Sequence, residues 1–272
     1  MTSHDAVARV RRLSLSRAGH GGTLDPDAAG VLPVGIGQAL ALLGRINWGP
    51  KTYVGVARFG TLTDTLDAAG DVRARSAPPW PRRSDLERSA PFLIGAGLQL
   101  PPQRSSIRQD GQRAHRRARR GETFFLPPRP VVVHSLQVID ADGPGFRFMT
   151  TVSSGTYVRA LVRDWGLLLG QAASLVALIR TRAGPFGIEE AVTLEELQAE
   201  GVERYLRSWR TVWAGPRLEL TAGEVADVVH GRWPEALAPE ESVMTALAQA
   251  GRLYALTEGP GCFVRVFPEG LP

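Results

Sequence analysis

Lysine and cysteine are almost missing from this 272-residue chain. Lys51 is the only lysine among 32 basic residues, and Cys262 is the only cysteine. A lone thiol excludes an internal disulfide framework and fits a reducing compartment such as the cytoplasm. No apolar run approaches the ~18 residues of a membrane span, and no apolar stretch follows the Arg-rich opening, so neither membrane insertion nor secretion is expected. Familiar catalytic signatures are missing too. Residues 44–52 read GRINWGPKT, where Pro50 separates Gly49 from Lys51 and removes the Gly-Lys-Ser/Thr junction of a phosphate loop. There is no G-x-S-x-G elbow and no dinucleotide fingerprint. The histidines His4, His20, His115, His134 and His230 are scattered, without metal-ligand spacing among themselves or with Cys262, so no metal is expected.

What is present is an ordinary folded composition, 43% apolar and 22% charged, long enough to bury a full core in one or two domains. The net charge of +5 invites an acidic partner such as nucleic acid. Arginine-only usage beside abundant Ala, Gly and Pro is also what a GC-rich genome imposes, so the placement of the arginines carries more than their number.

Thr2 and Asp5 have capping-box spacing before a Val7, Val10, Leu13 stripe, and a Gly-rich turn spans residues 19–35. A helix is predicted from about Gly37 to Ile46. Tyr53–Phe59 alternates as a strand with Tyr53, Gly55, Ala57 and Phe59 on one side. Asp64, Asp67 and Gly70 mark a turn. Residues 77–81 form a Pro-rich loop, followed by a helical stretch near 84–90. Val131–Ile139 and Phe146–Ser153 read as a strand pair joined through Asp142-Gly143-Pro144-Gly145. Thr156–Leu169 has helical spacing, with Tyr157, Leu161, Trp165 and Leu168 on one face. Capping boxes recur at Thr193/Glu196 and Thr221/Glu224. After a boundary near 209–216 comes a mostly β tail. The whole reads as α+β.

Two segments can carry chemistry. The Gly-rich turn holds Asp25 and Asp27 on either side of Pro26; Asp25 precedes the proline, which biases it to extended backbone and a stiff setting. From local sequence alone, Asp25 could equally be a mere Asp-Pro turn initiator. The second segment is basic: Arg104, Arg108, Arg113, Arg116, Arg117, Arg119 and Arg120 face only Asp110 before Glu122 is reached. Solvated helices usually mix signs, so this run reads as a footprint for phosphates rather than a plain polar face.

Four stretches in order resemble the TruB family of tRNA pseudouridine synthases. AGHGGTLDPDAAGVLPVGIGQA at 18–39 is similar to its active-site motif and KTYVGVARFGTLTDTLDAAG at 51–70 to its tyrosine motif. LPPQRSSIRQDGQRAHRRARRGE at 100–122 resembles its thumb-like insertion, and SSGTYVRALVRDWGLLLG at 153–170 its arginine motif. The resemblance implies a pseudouridine synthase fold: α+β, with a mixed, largely antiparallel sheet and flanking helices. A catalytic domain would cover 1–210, and a small β-rich PUA-like RNA-binding domain 211–272. It implies isomerisation of uridine to pseudouridine at position 55 in the tRNA T loop, without cofactor, metal, membrane or obligatory protein partner. Asp25 matches the nucleophilic aspartate, Tyr53 the tyrosine that stacks on the base, and Arg159 the arginine paired with the aspartate. Tyr157 matches a pocket residue, and His20 a histidine that fills space vacated by the opening RNA loop. Arg108, Arg113, Arg116, Arg117 and Arg120 would meet the T arm.

The chain departs from the family pattern at Gly21 (usually Thr), Asp27 (commonly apolar), His115 (commonly Tyr) and Arg108 (commonly Lys). The family's opening strand and Lys-Pro motif are expected just before Thr2, so the natural protein is expected to carry further N-terminal residues. Two alternatives belong to other classes: a tRNA-folding chaperone with impaired catalysis, and a guide-RNA-dependent relative, against which the short tail argues.

Overall fold

Alternation along Lys51–Phe59 sets the centre of the main sheet. The computed structural model describes residues 1–272 apart from 46–48, 106, 110 and 123, and gives only the backbone at 108, 113, 115, 118 and 119. The expected helix end at Ile46 and the acid Asp110 therefore lie outside the described residues, as do the side chains of Arg108, Arg113, His115 and Arg119.

Seven strands build this sheet: β1 (Ala28–Gly30), β2 (Lys51–Phe59), β3 (Gly95–Gln99), β4 (Arg129–Asp142), β5 (Gly145–Val152), β6 (Ala173–Ala183) and β7 (Phe186–Gly187). Their order is β7-β6-β2-β5-β4-β3. Every pairing on that path is antiparallel, and β1 joins β6 in parallel, opposite Leu178–Arg180. The sheet is thus mixed and largely antiparallel. In β2, Tyr53, Gly55, Ala57 and Phe59 are all buried, as the alternation requires. Gly55 is forced by its neighbour: a Cβ there would stand 2.4 Å from the Phe148 ring.

The helix Val158–Leu168 covers this face with Val158, Leu161, Val162 and Trp165. Trp165 meets Phe146 edge-on at 5.3 Å, and its Nε1 donates to Ser89 Oγ at 2.8 Å. One element of the expected stripe fails: Leu168 is 48% exposed, because it stands in the helix's last turn. The helix expected from Gly37 is also shorter. Gly37 takes a left-handed φ of 60°, a 3-10 turn runs Gly37–Ala39, and the α-helical part is Leu40–Leu43.

The chain divides into two units, and the sheet just described belongs to the one formed by Asp25–Val31 and Gly49–Ala191. The other unit comprises Met1–Leu24, Leu32–Trp48 and Val192–Pro272. In it, the helix Ser3–Ser14 begins at the expected Thr2/Asp5 capping box and buries Val7 and Val10 against Leu194 and Leu197. Four strands, Arg217–Glu219, Thr245–Gln249, Arg252–Thr257 and Phe263–Leu271, form a second sheet in chain order, parallel at its first pairing and antiparallel thereafter. The Thr193/Glu196 and Thr221/Glu224 capping boxes both form.

Candidate active site

The Asp25-Pro26-Asp27-Ala28 segment closes a tight turn, in which the Ala28 N–H donates to the Asp25 carbonyl at 2.9 Å. The chain then enters β1 directly. Its close approach to β6 depends on Gly30, whose φ is +104°; a Cβ there would lie 2.2 Å from the Arg180 carbonyl oxygen. The Val31 N–H donates to that carbonyl at 2.9 Å, so the aspartate's loop is fastened to a central strand within six residues.

Arg159 sits in the first turn of the helix Val158–Leu168 and is 5% exposed. Its Nε donates to Asp25 Oδ2 at 2.8 Å and its Nη2 to Asp25 Oδ1 at 2.9 Å, a two-point pairing across 134 residues of sequence. The remaining donors are matched as well: Nη1 to the Thr65 carbonyl at 2.7 Å and to Asp67 Oδ2 at 3.4 Å, and Nη2 to the Arg104 carbonyl at 3.3 Å. Asp67 is itself oriented, since Oδ1 accepts from Thr65 Oγ1 at 2.6 Å and from the Ala69 N–H at 3.1 Å. A guanidinium with its donors matched in this way has one rotamer and holds the Asp25 carboxylate in one place.

Tyr53 is 8% exposed on β2, opposite Arg180 of β6. Burial pushes its phenol above the ordinary range, while the Arg180 guanidinium and its hydrogen bond pull the other way, and the nearby Asp25 charge adds a small upward push. A cleft of about 400 Å³ lies beside the ion pair, lined by Asp25, Asp27, Asp67, Arg159 and the Leu175–Leu178 stretch of β6. Its size falls in the range of about 300–1,000 Å³ usual for small-ligand sites. A carboxyl group, its fixed counter-charge and an apolar wall suit a flat, neutral ring that must be held while bonds at its edge change.

Asp25 and Arg159 are paired on the wall of the cleft, whereas Tyr53 is buried on β2 and is not among the residues that line it, although the Asp25 charge reaches its phenol. Tyr157 is adjacent, capping the helix of Arg159; its backbone N–H donates to Gln99 Oε1 at 2.8 Å and its carbonyl accepts from Gln99 Nε2 at 3.2 Å. His20 belongs to the other unit, on a short strand Ala18–His20, and its Nδ1 accepts from the Gly22 N–H at 3.4 Å. In the basic segment, Arg116 is exposed. Arg117 and Arg120 share Glu122, through contacts of 2.9 and 2.7 Å, and Arg117 also lies 4.5 Å from the Phe124 ring centroid. Both guanidinium groups hold the Glu122 carboxyl below its ordinary range.

Two residues of the site escape a reading of the sequence by motifs. Asp67 looks like a turn former, yet it is the second acid on Arg159. Arg180 interrupts the apolar run Leu175–Ile179 of a central strand, and that is the available signal, since a buried guanidinium there needs partners. Among the described residues, no group of three or more His, Cys, Asp or Glu could hold a metal ion, and no helix is long and apolar enough to cross a membrane.

The chain is similar to known proteins over most of its length. Residues 10–158 match the family model described as TruB family pseudouridylate synthase (N terminal domain), and residues 159–209 match the tRNA pseudouridylate synthase B C-terminal domain. The tRNA pseudouridine synthase B of Thermobifida fusca (strain YX) is 42% identical over 268 residues, covering 94% of this chain and 90% of that protein. That of Mycobacteroides abscessus is 41% identical over 268 residues, covering 96% and 89%. Among solved structures, a chain of a Cbf5-Nop10-Gar1 complex superimposes with a TM-score of 0.66 at 26% identity, covering 95% of this chain and 74% of that one.

Proposed function

Because the chain belongs to the TruB family of pseudouridylate synthases, we propose that it isomerises uridine to pseudouridine in tRNA, at position 55 of the T loop, with Asp25 as the catalytic carboxylate. The observation that carries this reading is the two-point Asp25–Arg159 pair on the wall of the cleft. The reaction breaks the bond between C1′ and N1 of the uracil, turns the base, rejoins it through C5, releases the C5 proton to solvent and takes up a proton at N1. Attack by Asp25 on C1′, attack on C6, and removal of a sugar proton all require an ionised carboxylate, and Arg159 gives it a counter-charge that cannot drift. The Tyr53 phenol, which burial pushes above its ordinary range, offers a π-face to the base and a hydroxyl that can pass a proton.

A uridine inside a folded T loop must leave its stack before it can enter such a cleft. In this reading Tyr157 borders the base, His20 fills the space that the loop vacates, and Arg108, Arg113, Arg116, Arg117 and Arg120 meet T-arm phosphates. The tail from 211 adds a PUA-like RNA-binding surface to a catalytic domain of 1–210, and the enzyme works in the cytoplasm without a cofactor. The curated relatives at about 40% identity carry tRNA pseudouridine synthase names, whereas the ribonucleoprotein chain stands at 26%, which favours a free tRNA substrate over a guided one. The chaperone alternative is not favoured.

The test uses a T-arm stem-loop RNA carrying tritium at C5 of its uridines. Stoichiometric release of one label per RNA is expected, lost when cytidine replaces the uridine at position 55. Release from another position overturns the site assignment; tight binding without release returns the chaperone reading.

A further inference from the structure

The mechanism above leaves one buried cation unused. Arg180 has no exposed surface, sits in the middle of a central strand, and is cross-strand neighbour to Tyr53. Its Nε donates to the Val31 carbonyl at 2.8 Å, while its own carbonyl accepts from the Val31 N–H at 2.9 Å. Side chain and backbone of one residue therefore grip both polar groups of Val31, six residues beyond Asp25. Gly30 makes this possible, because any Cβ would collide with the Arg180 backbone. On the other side its strand pairs Arg180 directly with Tyr53, and the charge of the guanidinium acts on the Tyr53 phenol, pulling it down against the upward push of burial.

We infer that Arg180 is a positioning residue for the isomerisation: it ties the end of the Asp25 loop to the Tyr53 phenol, so that carboxylate and ring keep one spacing while the uracil turns between them. This rests on the function proposed above. The physical argument is one of cost. Burying a guanidinium in the middle of a sheet is unfavourable unless each partner is fixed, and an apolar residue of similar volume would serve packing alone at least as well. Its placement between the two elements that carry Asp25 and Tyr53 gives the charge a task that packing does not. The charged groups that act on the phenol are Arg180 from β6 and Asp25 from the loop, with Arg159 bound to the latter. Lys51, two residues earlier on β2, is lowered by burial and by the charge of Arg180.

The experiment is a double-mutant cycle on the full chain with Arg180→Met, Arg180→Lys and Tyr53→Phe, read in two ways. In the free protein, ultraviolet titration of tyrosinate, with the Tyr53→Phe spectrum subtracted, isolates this phenol from Tyr157, Tyr205 and Tyr254. Arg180→Met is expected to move its titration to higher pH, and Arg180→Lys to restore part of the shift. With T-arm RNA at saturation, Arg180→Met is expected to slow single-turnover isomerisation at least about tenfold with RNA affinity little changed, and to cost far less when Tyr53 is already Phe. An unmoved phenol titration, or an equal loss in both backgrounds, overturns the inference. Should Arg180→Met fail to fold by circular dichroism, Arg180→Lys carries the same cycle. Should the wild-type protein release no label from T-arm RNA, the proposed function fails, while the titration still decides whether Arg180 governs Tyr53.

Discussion

The arginines of the cleft and those of the basic segment are treated in opposite ways by the same chain. Arg159 has 6% of its side chain exposed and four acceptor groups around it, and Arg180 is wholly buried. Between residues 116 and 120, Arg116 faces solvent, and Arg120 keeps 54% of its side chain exposed while sharing Glu122 with Arg117. A guanidinium surrounded by fixed acceptors keeps geometry and is costly to remove. One in solvent exchanges water and ions readily, and contributes when a polyanion arrives. Arg117 lies between the two kinds: 20% exposed, held by Glu122 and stacked near Phe124, it shapes its segment as well as charging it. The basic run is therefore less free of counter-charge than its sequence suggests.

The sharpest division between these regions is expected at Asp25. Asp25→Asn keeps shape and folding, and tRNA affinity should stay close to wild type, while label release falls at least about a hundredfold. Asp27→Asn should leave most turnover intact. The opposite ranking of the two variants would move the chemistry to the other side of Pro26.

Arg159→Met comes next. Removing one member of a buried pair costs about 3–5 kcal/mol; with the Asp25 side chain 35% exposed, solvent screening reduces this to roughly 2 kcal/mol in urea unfolding at neutral pH. Turnover should fall with it, since Asp25 and Asp67 would then face each other without a cation. Asp67→Asn, which loses a 3.4 Å contact, should be milder in both measurements. A stability unchanged by Arg159→Met would mean that the pair is not held in solution.

In the basic segment the effect is on binding. Arg116→Gln and Arg120→Gln together should weaken T-arm RNA affinity and flatten the log–log salt dependence by about 0.7–0.9 per lost phosphate contact, with turnover at saturation little changed. Arg117→Gln should show a smaller change of slope and a local loss of protection in hydrogen exchange. Equal slopes for all three variants would erase the distinction drawn between them.

The smallest effect belongs to Lys51. Burial and the charge of Arg180 hold its ammonium below the unfolded value of 10.5, so the unfolded chain binds more protons between the folded value and 10.5. Stability contributed at this position therefore rises with pH through that window, the reverse of Tyr53, whose raised phenol adds stability that is lost as pH climbs through its folded value. Lys51→Met is expected to stabilise the protein slightly at pH 7, with the gain fading towards pH 10.5 in urea melts. A gain that is independent of pH would assign the effect to packing.

Much of the fold could be read locally. The alternation of Tyr53–Phe59, the strand pair turning at Asp142–Gly145 and the three Thr-led capping boxes each rest on residues within one element. The mixed, largely antiparallel sheet followed from the resemblance, since no local rule reveals that β1 pairs with a strand 150 residues later. The contacts of Asp67 and Arg180 were hidden for the same reason: their partners lie on elements distant in sequence, and neither residue type announces such a task. The helix after Gly37 is shorter than expected because a left-handed glycine and a 3-10 turn take up its first residues, and Leu168 stands exposed in the last turn of its helix.

The 134-residue separation of Asp25 from Arg159 also sets a schedule for the newborn chain. At about 5–20 residues per second, the carboxylate leaves the ribosome roughly 7–27 s before the guanidinium that will hold it, and β6 follows later still. Until then no part of the nascent protein can possess the pair. A nascent chain stalled before residue 159 should therefore be inert towards the very tRNAs that are feeding its synthesis, so that competence arrives in one late step rather than by degrees.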